Sequence, residues 1–237
     1  MRVNALLPAK LVAAVREAGR ALPGAAAAFD ADGTLWREDV GEAFLKHLIA
    51  LGWVKCADGT DPYPIYEAKV AQDRAAGFAF AAQLQAGLSR AALEAEATKL
   101  AASWVAPRLI ESTQALLALC RESGLVPTVV SASPIEIVRA AAPLAGVPVS
   151  RCLGMTVQAG EGGILTDAMA GPITYADGKV QALANASWLP IALACGDSNT
   201  GDLAMLKAAR VAVGVAPKSG SALANECTAR GWSLLLE

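Results

Sequence analysis

The chain has 237 residues, 54% apolar and 18% charged, with a net charge of −2. This suits one large domain, or a core domain with a smaller insert, and excludes a disordered chain. The near-neutral balance argues against a nucleic-acid partner. The longest uncharged stretch, residues 180–196, carries Gln181, Asn185, Ser187 and Pro190, so no membrane span is expected.

Lys10, Arg16, Glu17 and Arg20 interrupt the N-terminal stretch, so no leader peptide is expected. Residues 8–20 have the apolar spacing of an amphipathic helix, closed by Pro23-Gly24. Residues 25–29, AAAAF, are poor strand formers by propensity. Their brevity and the following Asp30-Ala31-Asp32-Gly33 nevertheless predict a buried strand ending in a turn. Residues 40–52 read as helix and 53–64 as loop. Helix returns over 65–104, with breaks near Gly77 and at 87–89, where Ser89 is the expected N-cap. Nothing strand-like occurs between 38 and 105. Residues 38–104 are therefore expected to form an all-helical cap, inserted into an α/β core of residues 1–37 and 105–237.

Pro107 is expected to open a long helix that Gly124 ends. LVPTVV (125–130) reads as a strand, SASP as a turn, and a helix follows from Pro134. Residues 153–170 predict a hairpin turning at Glu161-Gly162-Gly163. Lys179 falls near the start of another helix. IALAC (191–195), VAVGV (211–215) and WSLLL (232–236) are further strands. The turn GDSNTGD and the helix LAMLKAA follow the first of these, and a helix after Pro217 follows the second. Buried strands alternating with helices predict a doubly wound, mostly parallel sheet with helices on both faces.

The five cysteines, odd in number and without a CxxC pair, read as buried free thiols in a reducing cytoplasm. The single histidine, His47, rules out a multi-histidine metal centre and a two-histidine phosphatase; its helical setting suggests packing.

Ligands of such sheets bind beyond the carboxyl ends of the strands. Asp30 and Asp32, Ser131, and Asp197 and Asp202 all fall at such ends, and Lys179 precedes one of them. If the strands are neighbours, these groups converge. Clustered carboxylates without histidine suit Mg²⁺. Lys179 and the Ser131 hydroxyl would complete a cradle for a tri-oxyanion such as phosphate. One carboxylate could attack phosphorus and a second, two residues on, could protonate the leaving oxygen and later activate water. Gly33 would permit the bend that turns both toward one substrate. Taken singly, the same residues have plainer uses: an Asx-turn at Asp30 and Asp32, a helix cap at Ser131 or Ser133, a solvated lysine at 179.

FDADGTLW, VVSAS, Gly178-Lys179 and GDSNTGD stand in the order and rough spacing of the four motifs of the haloacid dehalogenase-like superfamily. The helical insert between the first two resembles that family's first cap type. DGTL, VVSASP and GDSNTGDLAML, with a hairpin before the lysine, resemble the phosphoserine phosphatase-like branch. The resemblance spans essentially the whole chain after residue 24. It implies that Asp30 is the nucleophile and a Mg²⁺ ligand, and that Asp32 is the general acid/base, its carbonyl also on the metal. Ser131 and Lys179 would bind phosphate, with Ala132 and Gly33 beside them. Asp197 would ligate the metal directly. Asp202 would be either a ligand or an orienter of metal-bound water. An acid at position 32 fits phosphatases and phosphomutases, which must protonate an alkoxide, rather than dehalogenases.

Asp39 stands where phosphoserine phosphatases place a glutamate that contacts the substrate amine; the shorter side chain leaves phosphoserine itself open. Trp36 reads as packing or a substrate contact, and Arg74 and Arg90 as contacts to a substrate carboxylate or as solvated residues. The expected function is Mg²⁺-dependent hydrolysis of a small phosphorylated metabolite through an aspartyl-phosphate, by a monomer or homodimer in the cytoplasm. The alternatives are a phosphomutase or phosphotransferase of the same superfamily, a phospho-acceptor signalling domain and a non-catalytic binding domain.

Overall fold

The computed structural model describes residues 6–217 and 219–237. The expectation about a leader rests partly on residues 1–5, which lie outside these. Strand β1 (Ala26–Phe29) forms despite its alanines because all four of its residues are buried. It lies between β2 (Val126–Pro134) and β6 (Ile191–Gly196), parallel to both. Burial between two neighbours outweighs intrinsic strand preference here. With β3 (Cys152–Met155), β7 (Val211–Ala216) and β8 (Ser233–Leu236), the six-stranded sheet has the order β3-β2-β1-β6-β7-β8. β6, β7 and β8 are also mutually parallel. Strand order runs outward from β1 on one side and from β6 on the other. The winding therefore reverses between them, which is where open α/β sheets bind ligands.

The chain divides into two compact units. One comprises the described residues up to Glu38, Arg108–Val130 and Ala176–Glu237; the other comprises Asp39–Pro107 and Ser131–Tyr175. Residues 131–175, assigned to the core on sequence grounds, thus group with the helical insert. In the first unit, α1 (Ala9–Ala21) buries Leu11, Val12, Val15 and Ala18 and packs against α6 (Glu111–Glu122), β6 and β7. Each fully buried Leu or Val contributes roughly 1.5–3 kcal/mol. α8 (Asp177–Asn185) packs with α9 (Leu203–Ala208), which covers β6, while α10 (Ala222–Arg230) covers β7 and β8.

The second unit holds α2 (Val40–Ala50), α3 (Tyr63–Gln72), α4 (Arg74–Gln83), α5 (Arg90–Trp104), α7 (Ile135–Ala141) and the hairpin β4 (Val157–Ala159) to β5 (Leu165–Met169). The hairpin turns at Glu161–Gly163 as predicted. The expected break at Gly77 is in fact at Asp73, whose carboxylate caps α4 by accepting from the N–H groups of Ala75 and Ala76, a contact worth about 1 kcal/mol. Gly77 lies inside α4. A Cβ there would stand 2.4 Å from Val70 Cγ2, so the glycine serves the close approach of α3. Ser89 does precede α5, but its side chain makes no capping hydrogen bond.

Two other expected boundaries shift. Pro107 sits in a single 3₁₀ turn (Ala106–Arg108), and α6 starts only at Glu111. The reason is a tertiary contact: Arg37 N–H donates to Arg108 O at 2.9 Å and Ile110 N–H to Leu35 O at 3.1 Å. These bonds hold the intervening chain extended. SASP, expected as a turn, continues β2 to Pro134. All five cysteines are free, four of them buried. Among the described residues, no helix is long and apolar enough to cross a membrane.

Candidate active site

The register of β1 and β6 brings the first two acids together. Phe29 pairs with Cys195, and Asp30 N–H continues the ladder to Cys195 O at 2.9 Å. Asp30 and Asp197 therefore leave the carboxyl ends of adjacent strands at the winding reversal. Carboxylate oxygens of Asp30, Asp197 and Asp202 lie within 4.8 Å of one another. Asp30 and Asp202 are buried, Asp197 less so.

Lys179 joins this cluster from the start of α8. Its Nζ donates to Asp30 Oδ1 at 2.5 Å and to Asp202 Oδ1 at 2.6 Å, and only 2% of the residue is exposed. Ala176, just before the helix, has φ 50° and ψ −124°. This costly conformation for a non-glycine residue is held by a hydrogen bond from Ala176 N–H to Gly201 O at 3.0 Å. The Lys179 turn is thereby tied to the loop that carries Asp197 and Asp202. That loop is itself shaped by Asp202, whose Oδ2 accepts from the N–H groups of Asp197 (3.1 Å) and Ser198 (2.9 Å). Asp202 thus has both carboxylate oxygens engaged, Oδ1 by Lys179 and Oδ2 by these two N–H groups.

Electrostatics follow from crowding. Burial, helped by repulsion from Asp202, pushes the Asp30 carboxyl up to about 7 despite Lys179. Burial and the charges of Asp30 and Asp202 push Asp197 up to about 8. For Lys179, burial favours the neutral amine, but Asp202 and Asp30 outweigh it and hold the group above the ordinary lysine value. One lysine thus leaves negative charge in excess. An all-oxygen set of this kind fits a hard divalent cation such as Mg²⁺.

Gly33 is needed at this point, for two reasons. Its φ is +75°, and a Cβ would stand 2.3 Å from Asp197 Oδ2. Its N–H donates to Trp36 O at 2.8 Å. Gly33 thus shapes the loop between Asp30 and Trp36. Trp36 is wholly buried, so it has no surface for a substrate. Its indole N–H instead donates to Asp32 Oδ1 at 2.7 Å. The sequence reading missed Thr34, which is fully buried and donates to Asp30 Oδ2 at 3.3 Å. The available signal was a hydroxyl residue four positions after the nucleophile candidate.

Ser131, Ala132, Asp39 and Arg74 belong to the second unit. Ser131 is buried there, and its Oγ accepts from Ser133 N–H at 3.0 Å. Its hydroxyl proton still has donating capacity. Neither serine caps α7, which has no side-chain cap. Asp39 caps α2 by accepting from Glu42 N–H at 2.7 Å. It also lines a cavity of about 420 Å³ together with Glu42, Tyr63, Tyr66, Arg74 and Phe78. Arg90 is part-exposed but paired: it donates to Glu136 Oε1 at 3.3 Å and to Val157 O at 2.8 Å. His47 pairs with Glu96 at 3.1 Å.

Among curated proteins no sequence match is found. Solved structures do resemble the fold. A protein of unknown function from Bordetella pertussis Tohama I is 19% identical with a TM-score of 0.73, covering 90% of this chain and 98% of that one. A HAD family hydrolase from Salmonella enterica serovar Typhi is 18% identical with a TM-score of 0.60, covering 96% and 76%. A phosphoserine phosphatase solved as a phospho-aspartyl intermediate analogue is 15% identical with a TM-score of 0.54, covering 91% and 94%. The model of the haloacid dehalogenase-like hydrolase family matches residues 27–207, from β1 through the Lys179 turn to α9. With that match and the carboxylate cluster at the reversal of its parallel sheet, the chain belongs to the haloacid dehalogenase-like hydrolases.

Proposed function

We propose that the chain hydrolyses a phosphate monoester of a small molecule through an aspartyl-phosphate on Asp30. The observation that carries this reading is the cluster of Asp30, Asp197 and Asp202 bridged by buried Lys179. In the first step a carboxylate oxygen of Asp30 attacks phosphorus. The P–O bond to the alcohol breaks, and its electron pair leaves on the alcohol oxygen, which takes a proton from Asp32. In the second step, water attacks the phosphoryl phosphorus and gives its proton to Asp32. The bond to Asp30 breaks, regenerating the carboxylate and releasing phosphate.

Asp30, Asp197 and the Asp32 carbonyl would hold Mg²⁺, with Asp202 positioning Lys179 and the Asp197 turn. When bound, the ion supplies neutralising charge for the phosphoryl oxygens. Lys179 and the Ser131 hydroxyl, with Ala132, would bind those oxygens, while Thr34 orients Asp30. In the second unit, Asp39, Glu67 and Arg74 line a cavity in which Glu42 is already paired with Lys46 at 2.6 Å.

Wild-type protein with Mg²⁺ should turn over p-nitrophenyl phosphate repeatedly, and Asp30→Asn should abolish this. A single phosphoryl uptake without turnover would favour a phospho-acceptor domain. No reaction in the wild type would refute the proposal.

A further inference from the structure

Asp32 does not leave β1 on a free loop. Ala31 O accepts from the N–H groups of Leu35 (2.8 Å) and Thr34 (3.2 Å), and Gly33 N–H closes the turn onto Trp36 O. The segment is fixed from outside as well: Trp36 bridges to Leu109, and the two flanking hydrogen bonds run from Ile110 to Leu35 and from Arg37 to Arg108. The backbone at Trp36 is thus held on both sides, and the residue is fully buried. Its indole N–H meets Asp32 Oδ1 at 2.7 Å, while Asp32 itself is part-exposed.

We infer that Trp36 is the positioning residue for the proton-transferring carboxyl group of Asp32, an inference that rests on the phosphatase reading above. Indole N–H is a donor only. It cannot take a proton from Asp32 and cannot exchange roles with it. With Oδ1 accepting, the proton of the acid form is carried on Oδ2, and rotation of the carboxyl group is stopped. A general acid is effective only when its proton points along the hydrogen bond to the leaving oxygen. A rigid donor on the opposite oxygen supplies that orientation before the substrate arrives. Trp36→Phe keeps most of the buried ring and removes the donor.

The readout is the dependence of kcat/KM on the leaving group, because this constant reports steps through departure of the alcohol and is blind to aspartyl-phosphate hydrolysis. An alkoxide must be protonated as it leaves; p-nitrophenolate need not be. In Trp36→Phe, kcat/KM for an alkyl phosphate should fall about 10-fold, a fraction of the ~10²–10⁴ that general acid catalysis supplies. For p-nitrophenyl phosphate it should change less than ~2-fold, and the affinity for tungstate, a phosphate mimic, should be unchanged. In an Asp32→Asn background, Trp36→Phe should cost nothing further on the alkyl ester.

Equal losses on both esters would mean general loosening and overturn the inference, as would no loss on either. Inactive wild type would instead refute the phosphatase reading. A second measurement needs no tryptophan variant: in Asp32→Ala, one indole N–H resonance should move and exchange faster with solvent. If none of them does, the inference fails.

Discussion

Lys179→Met tests the centre of the site directly. The replacement keeps the aliphatic length of the side chain and deletes the ammonium. It leaves Asp30, 7% exposed, and Asp202, 1% exposed, without their shared cation. Breaking a buried ion pair by removing one partner costs about 3–5 kcal/mol, because the surviving charge stays desolvated and unpaired. Unfolding entropy of about 2.1 cal/mol/K per residue, taken over the 237 residues, gives about 0.5 kcal/mol per degree. Tm should therefore fall by about 6–10 °C. The assay is thermal unfolding followed by circular dichroism at pH 7, in chelator and again in excess Mg²⁺. The deficit should shrink in Mg²⁺, since a dication can replace part of the lost charge. A Tm within ~1 °C of wild type in chelator would refute the reasoning. It would show that the three carboxylates do not depend on this lysine for their burial.

Two further outcomes are expected. Mg²⁺ at about 100 times its Kd should stabilise the wild type by about 2.7 kcal/mol, or roughly 5 °C. Asp197→Asn should abolish that shift while leaving the melt in chelator intact or raised, because it removes a charge that burial and two neighbouring carboxylates oppose.

The third concerns Glu136 in the second unit, 2% exposed and facing Arg90 and, farther off, Glu94. Burial raises its carboxyl above the ordinary glutamate value. The folded state therefore holds that proton more tightly than the unfolded chain does. Its contribution to stability is complete below the unfolded value and is lost as pH rises through the folded one. Glu136→Gln should flatten this part of the pH profile of Tm. An unchanged slope would count against the assignment.

The residues at the strand ends, and their order, were legible in the sequence because side-chain chemistry and spacing along the chain are local properties. Asp30, Asp32, Asp197 and Lys179 are spaced as a parallel sheet requires, and the alternation of elements predicts that sheet. Helix boundaries were less legible. The start of α6 depends on hydrogen bonds to residues 35–37, and the break before α4 on a cap at Asp73 rather than on the nearby glycine. In each case a tertiary or side-chain contact overrides the propensity of the local residues.

What only the tertiary structure decided concerns partners far apart in sequence or facing one another in a turn. Asp202 is separated from Lys179 by 23 positions, and Asp30 from it by 149. No local pattern could show that one ammonium serves both, or that both oxygens of Asp202 are already engaged. Trp36 reads as packing more readily than as a substrate contact until its indole is seen on Asp32. Gly33 reads as a bend until the Asp197 carboxylate is found where its side chain would be. The sequence by itself determined which functional groups this protein has at the ends of its strands. Folding determined which of them share a charge, a proton or a space, because those relations act over ångströms in space and have no fixed distance along the chain.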